Sequence, residues 1–259
     1  MNLRELLHEL RDNILHDRSH QIAGNASDLL WDDETLVRYI NEAQEKMARE
    51  ALLIRDNTTP EVVWLQTKAF EKEYTLHPSV VAVISAKCQH DRMDLARAGH
   101  SQFNTYRMPD PYFFDPSSMS TLPPGKIVAY DTDEGVSPDS NGSMGVMQFR
   151  VYPTPDPIHA QAIHLRVCRK PLRPFTVGDW ELAAEIPREH HLDMLSWSAY
   201  LALRIVDLDA GAPDRAADFK QDFETHVAEA RKVVMRKLFA PAQWGFGRNG
   251  FSWVTDWQL

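Results

Sequence analysis

Cysteine is scarce: the 259 residues contain two, Cys88 and Cys168, each inside a β-like run. Two thiols cannot build the disulfide framework of a small secreted scaffold, so a reduced, buried pair is expected. Long apolar runs are also missing. None approaches the roughly 18 residues needed to cross a bilayer, and the charged, amphipathic stretch from Met1 to His20 lacks the features of a signal peptide. Positive charge is in deficit, with 28 Lys and Arg against 37 Asp and Glu and a formal net charge of −9. Proteins that grip nucleic acid need clustered Lys and Arg for the phosphates, and this balance argues against such a role.

Catalytic and metal-binding signatures are missing too. There is no Gly-x-Ser-x-Gly elbow, no His-Glu-x-x-His and no Cys-x-x-Cys pattern. Gly142-Ser143-Met144-Gly145 reads as a flexible turn, and the adjacent His190 and His191 point to different helix faces. His159 and His164 flank a strand and read as exposed or internally satisfied. Asp32-Asp33 fits a helix cap, while Asp131, Asp133 and Glu134 lack the ligand order of a calcium loop. No enzymatic activity, metal or cofactor is expected.

What the chain does contain is an ordinary globular composition, 43% apolar and 25% charged, organised around one strongly specified helix. Asp32 is placed to cap it, and Asp33 and Glu34 set negative charge against its positive end. Leu36, Ile40, Ala43 and Met47 follow at helical spacing, and the helix is expected to run to about Arg55, before Asp56-Asn57-Thr58-Thr59-Pro60. Trp31, just before the cap, can pack back onto the first turn. Leu3, Leu6, Leu7, Leu10 and Ile14 mark an earlier helix.

Between Val62 and Pro174 the pattern changes to short β-branched or aromatic runs: Val62–Leu65, Tyr74–Leu76, Val80–Ile84, Ile127–Tyr130 and Val146–Tyr152. Ile163, Leu165 and Val167 then alternate with His164, Arg166 and Cys168, as in a half-buried strand. Pro109–Gly125 and Asp131–Gly145 read as surface loops. Helical period returns with Ile186-Pro187-Arg188-Glu189, a stripe of Leu192, Leu195, Ala199, Leu203 and Val206, and a final helix carrying Phe219, Phe223, Val227, Ala230, Val234 and Leu238. The expected fold is α+β: a helical bundle from the N- and C-terminal helix pairs (residues 1–56 and 177–239) with an inserted antiparallel β domain (57–176). Residues 240–259 have no helical period. They carry Trp244, Phe246, Phe251, Trp253 and Trp257 with Gly245, Gly247 and Gly250 between them, and are expected to form a C-terminal arm that needs cover. That cover is either the chain's own bundle or a partner groove, for which Trp and Phe are effective anchors.

The Trp31-Asp32 entry with Leu36 and then Asn41-Glu42-Ala43-Gln44 resembles the opening of head-to-tail adaptor (connector) proteins of tailed bacteriophages. So do Glu73-Tyr74-Thr75-Leu76-His77-Pro78 with Val80–Ala86, the turn Val151–Asp156, and the strand end Arg169-Lys170-Pro171-Leu172. The run from Ile186-Pro187 and His190 through Ala199 to Asp207 and Asp209, then Phe219, Phe223 and Glu224, is similar as well. The resemblance implies a structural virion protein at the head-tail junction: a homo-oligomeric ring, commonly a dodecamer, docked beneath the portal protein and joined to a tail nozzle or tube protein. DNA would pass through it without specific binding, no membrane is involved, and the C-terminal segment would reach the portal. Alternatives are a tail-tube or nozzle component, with more β structure, and a monomeric ligand- or peptide-binding module.

Overall fold

The computed structural model describes residues 1–17, 30–90, 92–97, 123–137, 146–204 and 213–239. Helix α1 (Leu3–His8) starts with a reciprocal cap: Asn2 Oδ1 accepts from the Glu5 amide at 2.9 Å, and the Asn2 amide donates to Glu5 Oε2 at 3.1 Å. It continues as a π-helical segment over Glu9–Leu15. Helix α2 (Asp33–Ala51) follows, and Leu36, Ile40, Ala43 and Met47 are all fully buried, as their spacing predicts. Asp32 holds the N-cap position, but its side chain makes no capping hydrogen bond. The entry is fixed instead by Arg11, whose guanidinium donates to the Trp31 carbonyl (2.8 Å), Asp33 Oδ1 (2.7 Å) and the buried Asp17 Oδ2 (2.9 Å).

α2 ends at Ala51, earlier than the sequence suggests, because Leu52 takes a left-handed conformation (φ 55°) and returns its amide to the Ala48 carbonyl. Arg55–Asp56 is already strand β1. The run Val62–Leu65 is also not one strand. Pro60–Val63 forms a single helical turn, α3, with Pro in its first turn, and β2 is Trp64–Gln66. Then come β3 (Glu73–Thr75), β4 (Val80–Cys88), β5 (Ala96–Arg97), β6 (Ala129–Ser137), β7 (Val146–Tyr152) and β8 (Ala162–Arg169). A short 3₁₀ turn over Arg188–His190 leads into α4 (His191–Leu203), and α5 spans Pro213–Phe239.

The strands form two sheets. In the first, β4 lies along one edge of β8, from Val80↔Arg169 to Cys88↔Ile163, leaving the other edge to β1 and β2. The second has the order β3-β7-β6-β5. Among the described strands all pairings are antiparallel except one: β5 runs parallel to β6, with Ala96↔Ala129 and Arg97↔Tyr130. The segment before β5 also pairs with β4, through the Leu95 amide and Ala86 carbonyl at 2.9 Å, so it spans both sheets. Asp131–Ser137, expected as loop, extends β6 because β7 supplies backbone partners: Asp131↔Arg150, Thr132↔Phe149 and Asp133↔Gln148. Most of Pro109–Gly125, residues 138–145 and Val206 lie outside the described residues.

Buried apolar side chains form two clusters. One unites α1, α2, α4 and α5 through Leu6, Leu10, Ile40, Met47, Leu195, Ala199, Phe223 and their neighbours. Leu192, assigned to the α4 stripe by its spacing, is instead exposed. The other cluster lies between the sheets and includes Val83, Ile127, Tyr130, Phe149, Val151, Ile163, Leu165 and Val167. Cys168, on the opposite face of β8 from Val167, is buried too, its Sγ 3.8 Å from the Leu52 carbonyl. The alternation of β8 therefore stops where the helices cover its second face.

Candidate interaction surfaces

The five aromatics expected to bind the portal, Trp244, Phe246, Phe251, Trp253 and Trp257, lie outside the described residues. Arg231, Lys232, Arg236 and Lys237 are exposed on α5, and Arg236 and Lys237, in its last turn, complement the negative end of the helix dipole.

Two contrasting regions emerge in the described residues. The first joins the sheets to the helices. Arg169, at the end of β8, donates from Nε to Asp56 Oδ2 and from one terminal nitrogen to Glu185 Oε2, both at 2.6 Å, with a further bond to the Lys170 carbonyl. Burial alone would raise the Asp56 carboxyl. The Thr59 hydroxyl, the Thr58 and Thr59 amides and Arg169 outweigh it and hold Asp56 well below the usual carboxylate range. The Arg169 guanidinium is in turn held charged: desolvation opposes, but Glu185 and Asp56 prevail. The other oxygen of Glu185 accepts from the Leu172 and Arg173 amides at 2.8 Å.

Helix α2 completes this junction. Asn41 pairs with the backbone of Phe175 in both directions, each bond 2.8 Å, and the buried Gln44 accepts from the Glu185 amide at 3.1 Å. The Asn41-Glu42-Ala43-Gln44 signature thus has a physical role. Asn41 and Gln44, three apart on one helix face, satisfy backbone groups of the segment that returns from β8 to the bundle. Lys170 and Glu45 add an ion pair at 2.7 Å.

The second region is the opposite end of the sheets, where three turns meet. Thr67 and Gln161 exchange bonds of 2.7 and 2.8 Å, and the His90 amide donates to Gln161 Oε1 at 3.0 Å. The 68–71 turn folds around the Tyr74 hydroxyl, which accepts from the Lys68 amide and donates to the Glu71 carbonyl. Within it, Phe70 adopts φ 62° and is 66% exposed, and its amide donates to the Pro155 carbonyl at 2.8 Å. Asp156 Oδ1 caps the neighbouring turn by accepting from the Ile158 and His159 amides, leaving Ile158 86% exposed. Trp64 and Met93 are also partly exposed large apolar residues here.

The histidines read from sequence as satisfied are so: His159 Nδ1 lies 2.7 Å from Asp156, and His164 donates to the Asn57 carbonyl at 2.9 Å. His191 is buried, and desolvation lowers its pKa; its Nε2 donates to the Ile186 carbonyl. Among the described residues no group of His, Cys, Asp and Glu is arranged to hold a metal ion, and no helix is long and apolar enough to cross a membrane.

A saturated polar clamp thus joins the helical core to the two-sheet unit, and an exposed apolar rim lies at the far end of the sheets. The chain belongs to the SU10 adaptor protein family, whose sequence pattern it matches over residues 1–245. This is a family of structural phage adaptors, which makes the chain a virion component. No curated protein matches it. The matched range takes in both clusters and the junction and ends just past Trp244, so Phe246, Phe251, Trp253 and Trp257 lie beyond it.

Proposed function

We propose that this protein is the head-to-tail adaptor that forms a homo-oligomeric ring, a dodecamer, beneath the portal, joins capsid to tail and lines the DNA channel. Family membership over residues 1–245 carries this reading. The net charge of −9 supports it, since a wall that repels phosphate does not retain moving DNA. Residues 1–56 and 177–239 act as one helical unit and 57–176 as an inserted β unit. Residues 240–259 are the portal-docking arm, with Trp244, Phe246, Phe251, Trp253 and Trp257 as anchors.

At about 25 cal/mol per Å² and 150–250 Å² per ring, burying even three such aromatics contributes on the order of 10 kcal/mol gross. Ordering the arm opposes this by a comparable amount, so binding depends on many arms engaging together. The test is size-exclusion chromatography with light scattering, with and without portal. The full chain is expected to co-elute with the portal, whereas a chain lacking residues 240–259 stays folded and fails to bind. Phe251→Ala with Trp253→Ala should weaken attachment more than paired charge reversals in the same segment. Full-strength portal binding by the truncated chain would place the contact elsewhere.

A further inference from the structure

We infer that the rim formed by Phe70 and Ile158 is a contact between copies of this chain, docking on a different surface of the neighbouring subunit. The inference rests on the ring reading above. Its starting point is Phe70. A bulky side chain at φ 62° is strained, and glycine would take that conformation freely. The strain is held by the Tyr74 hydroxyl, the Phe70–Pro155 backbone bond and the Glu71-to-Lys68 bond. Yet the residue is two-thirds exposed and belongs to neither buried cluster of its own subunit. A residue that opposes local folding and packs on little within its subunit is explained by a contact outside it. Ile158, still more exposed, stands on the adjacent turn, whose backbone is fixed by Asp156. The two side chains are therefore presented on rigid turns, so that little conformational entropy remains to be lost on docking.

Charge identifies the occupant. Copies of a chain with net charge −9 repel one another over most of their surface. The described rim segments, residues 64–72, 87–90, 92–94 and 153–161, hold four Lys and Arg against three Asp and Glu, close to balance. Several of these charges already neutralise one another locally, as Lys68–Glu71 at 3.4 Å and Lys87–Asp94 at 3.9 Å. An apolar, charge-balanced rim is where an acidic chain can approach its own copy. In a closed ring each contact is head-to-tail, so the rim needs a different receiving surface on the neighbour.

The experiment measures self-association of the full chain by light scattering and sedimentation, for the natural sequence, Phe70→Gly, Ile158→Ser and, as a control on an exposed apolar residue outside the rim, Val177→Ser. Phe70→Gly is expected to melt at the same temperature or higher, because the left-handed strain is relieved, while its self-association weakens at least tenfold. Ile158→Ser should weaken it similarly and Val177→Ser should not. Raising salt from 0.1 to 0.5 M should strengthen association of the natural chain, as screening reduces repulsion between like-charged copies. Rings of normal stability from both rim variants overturn the inference and leave the ring reading intact, including the case in which only tail attachment is lost. A natural chain that stays monomeric, with portal present or absent, overturns both.

Discussion

At its Arg169 end, strand β8 is closed over by helices, and Arg169, Asp56 and Glu185 there pair with one another and with the backbone around residues 170–173. At its Ala162 end the same strand reaches turns whose hydrogen bonds are also filled, yet which display Phe70 and Ile158 to solvent. Both ends are rigid, for different purposes. Buried ionic groups must be paired inside the subunit because desolvation penalises any charge left alone. Exposed apolar side chains meet no such demand, so a stiff scaffold can hold them outward for a partner. Polar saturation without apolar cover distinguishes a docking rim from an internal joint.

The largest effect should come from breaking the joint. Arg169→Ala leaves the buried Asp56 and the half-buried Glu185 without their cation and is expected to destabilise the subunit by about 3–5 kcal/mol in a urea titration. Phe70→Gly, at the other end, should not destabilise at all. Equal losses at both positions would erase the contrast. A smaller effect is expected from Asn41→Ala, which strands the amide and carbonyl of the buried Phe175, at about 1–3 kcal/mol. A neutral Asn41→Ala would mean that the apolar contacts alone hold the return segment.

The smallest effect, under mild conditions, concerns pH. The Asp56 carboxyl titrates lower in the folded chain than in the unfolded one, where it titrates near the ordinary value of about 3.9. The stability it contributes is thus complete above that value and is lost as pH falls below it toward the folded pKa. His191 acts in the same direction and earlier. Its folded pKa is lowered by burial, so stability is complete above its ordinary value of about 6.5 and declines as pH falls through it. Melting temperatures measured from pH 7.5 to 4 should decline gently from about pH 6.5. Replacing His191 with Gln should flatten the first part of that decline and leave the part near pH 4.

Much of the helical unit was legible in the sequence, because a helix buries a stripe at fixed spacing: Leu36, Ile40, Ala43 and Met47 are all buried. The bounds Val146–Tyr152 of β7 were legible too, as was the burial of Ile163, Leu165 and Val167. Short segments were not. Val62 and Val63 are β-branched but lie in a helical turn that opens at Pro60, and acidic Asp131–Ser137 becomes strand because β7 offers it a ladder. The five arm aromatics stood out by composition and lie outside the described residues, while Phe70 and Ile158 did not stand out at all. Apolar residues in a β-like stretch read as core until the turns that carry them are seen to face outward.

The sequence by itself determined the α+β class, the apolar faces of the helices and the acidic balance, since these depend on residue type and local period. Only the tertiary structure decided that Asn41 and Gln44 serve the backbone of Phe175 and Glu185, and that Arg169 binds Asp56 and Glu185 across the joint. It also decided that the rim faces outward. Those pairings link residues more than a hundred positions apart in most cases, and the free energy that selects them comes from shared burial, which no local pattern encodes.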